Sequence, residues 1–317
     1  MTYLNADVLA RVSIRIRSLW PGWTIAAPGP FMAHFVWVSA SGRLHWEHAA
    51  TVAVVLVLFV AGPKSKKLLI GAYPLALVGL LYDTMKVVEN VGVAARTVHI
   101  CDLRARELSM FGIIVHGERV TLPDWFQAHS APALDILCAV PYGTFIFVCL
   151  AFAAFLYARD YSRMLRFTWT FFALNVAGFV TYHIYPAAPP WYFHAHGCRI
   201  DMLAHASEGP NLARVDAWLR VPYFAGMYGR SSDVFGAMPS LHVAYALIVA
   251  VEGWAVLSWG WRTASVTFFL LMCFSAVYLD HHWVMDVVAG ILFCLMAVVL
   301  ARVTPLPRSP RLWTRRP

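Results

Sequence analysis

Apolar residues in this chain come in long runs, and the polar residues fall between the runs rather than alternating with them. Such runs read as helices that meet apolar surroundings on every side. Runs long enough to cross ~30 Å of hydrocarbon, which takes about 20 residues of helix, lie at approximately 46–62, 68–86, 132–158, 165–185, 239–258, 262–280 and 283–303. A further apolar stretch, 23–40, is interrupted by Pro28, Gly29 and Pro30 and is either an eighth span or a re-entrant or interfacial piece. The pattern predicts an all-α, polytopic membrane helix bundle of six to eight spans.

Two connections are long, 87–131 and 186–238. Within them, 100–111 and 212–224 have the mixed character of short surface helices capping the bundle. Basic residues mark the short connections: Lys64, Lys66 and Lys67, then Arg159, Arg163 and Arg166, then Arg262, then the tail with Arg302, Arg308, Arg311, Arg315 and Arg316. Threading seven spans puts all of these on one side, which the positive-inside rule makes cytoplasmic, with the C-terminus. The long connections and the starts of the runs at 239 and 283 then face the extracytoplasmic side. The same threading leaves Arg11, Arg15 and Arg17 outside, whereas an eighth crossing by 23–40 brings them in.

These boundaries predict an N-terminal amphipathic or interfacial segment over 1–45, a membrane catalytic domain over 46–303 and a basic cytoplasmic tail over 304–317. The alternation of Val8, Leu9, Val12, Ile14, Ile16 and Leu19 with arginines suits a segment lying on the membrane surface, with a disordered tail as the alternative. No basic start followed by an apolar core, as in a cleavable signal peptide, is evident.

Composition agrees with the pattern: 60% hydrophobic against 13% charged residues is too little polar material to coat a soluble domain of 317 residues. The excess of Lys and Arg, 25 against 17 acids, raises nucleic acid as a partner, but the basic residues sit in short clusters between apolar runs. They read as topology signals, with the lipid bilayer as partner and no nucleic acid. The six cysteines lack zinc-site spacing, so neither a metal site nor a cofactor is expected. Cys101 and Cys198 fall in the outer connections, where an oxidising environment would allow a disulfide.

Two polar stretches at the mouths of apolar runs carry the candidate chemistry: Pro239-Ser240-Leu241-His242, and Ser275 through His282 to Asp286. Polar residues at such positions are costly and mark functional sites. His282 and Asp286, four apart, share one face of a helix, where the carboxylate accepts from one imidazole nitrogen and leaves the other as nucleophile or base. His281, five residues from Asp286, points elsewhere. His242, on the same predicted side, could protonate a leaving oxygen, and Ser240 sits at a helix N-terminus, which favours an anion such as phosphate. This set suggests phosphoryl transfer through a phosphohistidine. Taken alone it also fits a transporter's proton-relay pair, and any single histidine also fits a satisfied interfacial polar group.

Pro239-Ser240-Leu241-His242 resembles the second signature of the type 2 phosphatidic acid phosphatase superfamily, and Ser275-x6-His282-x3-Asp286 the third. The resemblance implies His282 as nucleophile, Asp286 as its orienting partner, His242 as general acid and Ser240 as phosphate ligand. The sequence departs from the phosphatase pattern at Ala276, where the third signature carries Arg, and lacks a recognisable first signature. With those departures, Phe235 to His242 and Tyr185-Pro186-Ala187-Ala188-Pro189-Pro190-Trp191-Tyr192 resemble the inositolphosphotransferase branch, typified by fungal inositol phosphorylceramide synthase. That branch implies transfer of a phosphoinositol-like headgroup from a phospholipid donor to a ceramide- or diacylglycerol-like lipid alcohol, without metal.

The prolines of the Tyr185–Tyr192 stretch end a helix and fix extended chain, either as part of a headgroup pocket that includes Tyr192 or as an interfacial turn. Cations to replace the missing signature come from Lys86, at the outer end of the second span beside Asp83, and from Arg106 and Arg230, with Arg104 a further outer arginine. The arrangement Tyr82-Asp83-x-x-Lys86 also resembles a basic position in bacterial relatives of the branch. A lipid phosphate or polyprenyl pyrophosphate phosphatase with water as acceptor is the alternative enzyme, and a lipid transporter or scramblase the non-enzymatic one. Nothing in the sequence names a partner subunit.

Overall fold

The computed structural model describes residues 11, 13–88, 97–201, 203–204, 210–229 and 234–304, with the side chains of 86–88 and 210 outside that description. After a 3-10 turn, Gly22–Ala26, the helices are α1 (Gly29–Ala40), α2 (Trp46–Ala61), α3 (Pro63–Val88), α4 (Cys101–Phe111), α5 (Leu122–Ala128), α6 (Pro132–Arg159), α7 (Tyr161–Ile184), α8 (Pro190–His196), α9 (Pro210–Leu219), α10 (Tyr223–Tyr228), α11 (Leu241–Gly253), α12 (Trp259–Tyr278) and α13 (Val284–Val303). A two-stranded hairpin, β1 (Ile113–Val115) with β2 (Glu118–Val120), lies between α4 and α5. Each apolar run of the sequence is a helix. Among the described residues four helices, α3, α6, α12 and α13, are long and apolar enough to cross a membrane, and α2 and α11 are apolar but shorter. The chain is an integral membrane protein of all-α build.

The chain divides into two compact units, Met1–Leu80 and Leu81–Pro317. In the first unit the apolar face of the N-terminal segment is buried against α2 and the first part of α3. In this unit Trp20 stacks on Phe59 with ring centres 4.8 Å apart and donates from Nε1 to the Phe59 carbonyl at 2.8 Å. Arg15 donates to the Ala61 carbonyl at 2.9 Å, and Lys66 to that of Leu19 at 2.5 Å. The described part of the basic N-terminal segment thus lies at the turn from α2 into α3, whose first residues include Lys64, Lys66 and Lys67.

The second unit is built around α11. Of its first ten residues, Leu241 to Ala250, all but His242 are buried, and α6, α7, α12 and α13 pack around it. Small residues let the helices approach: a Cβ on Gly290 of α13 would stand 2.3 Å from the carbonyl oxygen of Ser240, and one on Gly178 of α7 would touch the Leu241 methyls at 2.9–3.0 Å. Both ends of this bundle are defined by side chains. At one, Glu252 of α11 receives Arg166 of α7 at 3.1 Å and Arg302 of α13 at 3.5 Å; at the other lie His242 and the α12–α13 connection.

The short helices expected over 100–111 and 212–224 are present as α4 and as α9 with α10. Cys101 and Cys198 are joined in a disulfide, with Cα atoms 5.6 Å apart. Extended segments run side by side here: Ala187 bridges to His99 on one side and to Gly236 on the other. Trp191 and Tyr192, expected at the membrane interface, are 3% and 0% exposed and form a core with Ile100, Ala188 and Phe235. The turn at Pro189–Pro190 folds them inward rather than outward.

Gly290→Ala forces α13 off a backbone oxygen that cannot rotate away, and should cost roughly 1–3 kcal/mol. Gly178→Ala meets only the ends of a flexible side chain and should cost less. Thermal melts of the two variants in detergent check the order.

Candidate active site

Ser240 is the N-cap of α11, its hydroxyl accepting from the Val243 amide at 3.5 Å, while its own amide donates to the Asp286 carbonyl at 3.0 Å. This pair of bonds ties the start of α11 to the first turn of α13. It brings His242 Nδ1 to 3.3 Å from His282 Nε2, although the residues are forty apart in sequence. His282, Asp286, Ser240 and His242 are therefore gathered at one point.

The expected helical pairing of His282 with Asp286 is corrected in detail. His282 precedes the helix, whose N-cap is Trp283, and Asp286 is an N3 residue whose Oδ2 folds back to accept the Trp283 amide at 2.9 Å. Its distance to His282 Nδ1 is 3.5 Å. The nearer acceptor for Nδ1 is the Ala237 carbonyl at 2.9 Å. Ala237 is in turn held by the proline-rich stretch, its amide donating to Ala187 at 3.1 Å. Burial pushes the His282 imidazole down, to about 4, with the Ala237 bond acting the other way. It is neutral at pH 7, with the Nε2 lone pair available.

Aromatic walls enclose His242. Tyr142 of α6 stacks on it at 4.6 Å between ring centres, Phe145 meets it edge-on at 4.8 Å, and the Tyr228 hydroxyl lies 3.3 Å from Nε2. His281, expected to point elsewhere, is not hydrogen-bonded to Asp286, but it is buried beside the same group, 5.2 Å from the rings of both Tyr142 and Tyr228. The amides of His281 and His282 both donate to Ala276, at 3.2 and 2.9 Å. Asp280, at φ 66°, makes the turn that allows this.

Two acidic residues absent from the sequence reading secure this connection. Glu107 of α4 is buried and accepts the next two amides of α13, from Val284 at 2.9 Å and Met285 at 3.1 Å. Burial pushes it up, to about 7, against those bonds. Asp280 is buried and takes His194 Nδ1 at 2.8 Å, while His194 Nε2 reaches Asp124 at 2.8 Å and Asp124 meets Arg104 at 2.9 Å. Burial acts to lower His194 and to raise Asp124, but their mutual bonds win: His194 rises to about 9 and Asp124 is held well below the usual carboxylate range. No sequence spacing links these residues; the disulfide and the proline turn bring them together.

The remaining expected residues are placed unevenly. Arg106 is exposed, 3.4 Å from the Tyr185 hydroxyl and 3.8 Å from Asp102. Tyr192 does not present its hydroxyl to a headgroup: it is buried, accepts from the Asp201 amide at 2.6 Å and donates to the Arg199 carbonyl at 3.1 Å, so its expected ligand role is corrected to a structural one. The Lys86 side chain and Arg230 lie outside the described residues.

A family model described as the PAP2 superfamily matches residues 114–300. The chain is 34% identical over 271 residues to a phosphoinositol dihydroceramide synthase of Bacteroides thetaiotaomicron, covering 82% of this chain and 85% of that one. It is 31% identical over 202 residues to the inositol phosphorylceramide synthase catalytic subunit of Saccharomyces cerevisiae, covering 61% and 48%, and 30% identical over 178 residues to that of Schizosaccharomyces pombe, covering 55% and 42%. It thus spans about half the length of the fungal relatives. No solved structure gives a significant match.

The His194 bonds have a definite pH dependence. His194 titrates near 6.5 when unfolded and near 9 in the fold, so their contribution is complete below about pH 6.5 and lost as pH rises through about 9. His194→Gln should cost roughly 2 kcal/mol at pH 6. The difference in melting temperature from the wild type should shrink steadily between pH 7 and pH 10.

Proposed function

Because this chain belongs to the PAP2 superfamily, we propose that it is a membrane phosphotransferase that moves an inositol phosphate headgroup from a phospholipid to a ceramide-like lipid alcohol by way of a phosphohistidine. The observation that carries the reading is the 3.3 Å approach of His242 Nδ1 to His282 Nε2, in a chain whose curated relatives are synthases of that type.

In the first half of the reaction His282 Nε2 attacks phosphorus and the bond to the diacylglycerol oxygen breaks. His242, protonated beside the anionic donor, gives its Nδ1 proton to that oxygen. In the second half the acceptor hydroxyl returns a proton to Nδ1 as its oxygen attacks phosphorus, and the bond to His282 breaks. The Ala237 carbonyl holds His282 in the nucleophilic tautomer and stabilises the ring as charge develops, with Asp286 at 3.5 Å adding to the field. Both jobs, nucleophile and acid–base, fall to imidazoles, and no step passes through a metal. Among the described cations, Arg106 is the proposed phosphate ligand, with Lys86 and Arg230 as further candidates from sequence. Ser240 acts by capping α11 and setting the position of His242.

The site opens to the extracytoplasmic side in this reading, and the C-terminus lies in the cytoplasm. Arg166 and Arg302 gather at the opposite end of the bundle, consistent with the positive-inside rule, and the Cys101–Cys198 disulfide lies in the outer connections that abut the histidines.

Purified protein in liposomes, given phosphatidylinositol labelled in the headgroup phosphate, should form a labelled ceramide product only when ceramide is present. His242→Ala should lower turnover roughly 10²–10⁴-fold, and His282→Ala should abolish it together with any acid-labile label on the protein. Free phosphate or inositol phosphate formed at full rate without acceptor would replace the transferase reading with the hydrolytic one.

A further inference from the structure

The hydrogen bonds at the site have a direction that follows, for neutral rings, from the Ala237 carbonyl at one end of the string. The Ala237 carbonyl can only accept, so His282 Nδ1 carries the hydrogen, and a neutral His282 presents a lone pair at Nε2. His242 Nδ1, 3.3 Å from that lone pair, must then be the donor. A neutral His242 is left with a lone pair at Nε2, and the group facing it is the Tyr228 hydroxyl at 3.3 Å. The string therefore runs from Tyr228 through His242 and His282 to the Ala237 carbonyl.

We propose that Tyr228 is a positioning residue for the transfer reaction, holding His242 by its far nitrogen in both protonation states so that Nδ1 stays aimed at the oxygen that leaves or enters. This rests on the two-histidine reading above. A hydroxyl suits the task because it both donates and accepts. It donates to Nε2 in the free protein and, turned about its C–O bond, accepts from Nε2–H once His242 has become the cation by taking a proton from solvent as the anionic donor binds. After His242 has given its Nδ1 proton to the departing oxygen, the neutral ring keeps hydrogen on Nε2, still bonded to Tyr228. Its Nδ1 lone pair then faces the acceptor hydroxyl. The proton taken from that hydroxyl restores the cation, so protons balance over the cycle and Tyr228 never ionises.

The position of Tyr228 is built rather than incidental. It ends α10, whose first amides, Phe224 and Ala225, both donate to the Asp216 carboxylate at 2.9 and 2.8 Å. Tyr223 at the start of the same helix donates to the Gly143 carbonyl of α6 at 2.6 Å. Gly143 follows Tyr142, the residue stacked on the other side of the His242 ring. Tyr142 and Phe145 meet the His242 ring by stacking and edge-on contact. Tyr228 supplies a hydrogen bond to its outer nitrogen.

Tyr228→Phe keeps the ring, with its contact to His281 at 5.2 Å, and removes only the hydroxyl. The test compares phosphatidylinositol with a p-nitrophenyl ester of inositol phosphate, whose phenolate departs without needing a proton, each with ceramide as acceptor and each followed as release of its own leaving group in a single turnover. With phosphatidylinositol the single-turnover rate should fall about ten- to hundredfold while half-saturation changes less than about threefold. With the activated ester the rate should stay within about threefold of the wild type. Equal loss on both donors would make Tyr228 a structural residue, and no loss on either would make the bond idle; both overturn the proposal. His282→Ala, run in parallel, separates this from failure of the underlying reading: release from either donor without His282 would overturn the histidine pair itself, and the role of Tyr228 with it.

Discussion

The arrangement of this site depends on one close approach, that of the first turn of α13 to the start of α11. The Ser240 amide on the Asp286 carbonyl and the absence of a side chain at Gly290 let two helix N-termini meet almost in contact. His242 and His282 are each placed beside such a start, so the distance between the helices becomes the distance between the imidazoles. A shift of one methyl group's width there would part the two imidazoles.

Bringing helix starts together concentrates unpaired amides in an apolar setting, which is costly unless each finds an acceptor. The structure meets that demand with side chains from several elements. Asp286 takes the Trp283 amide, Glu107 from α4 takes those of Val284 and Met285, and Ser240 takes that of Val243. Asp280 holds the preceding turn through His194 and Asp124. The outer segments, stapled by Cys101–Cys198, therefore do more than cover the bundle: they carry the groups that fix the His282 connection. His282 has the Ala237 carbonyl as its nearest partner, with Asp286 farther off, and burial keeps its ring neutral at pH 7.

How much of this was legible in the sequence follows from the range of the interactions. Helices were legible because a membrane admits little else for long apolar runs, and the observed bounds fall within four residues of those runs except at the start of α3 and the end of the short α11. His242, Ser240, His282 and Asp286 were legible because each motif is local. The placement of Asp286 was misjudged for the same reason: spacing of four suggested a shared helical face, whereas His282 lies before the helix and Asp286 folds back to cap it. Trp191 and Tyr192 looked interfacial by residue type and are core by position.

The sequence alone determined the solvent, the helical class, the basic end of the bundle and the candidate site residues that the fold gathers, since hydrophobic runs, charge clusters and short motifs are properties of neighbouring residues. Only the tertiary structure decided that Ala237 rather than Asp286 lies nearest His282, that Glu107, His194 and Asp280 brace the connection, and that Tyr228 faces His242. Those contacts join residues from 14 to 178 positions apart, and which of many polar groups meets which is set by packing and by the cost of leaving a buried amide or imidazole unpaired.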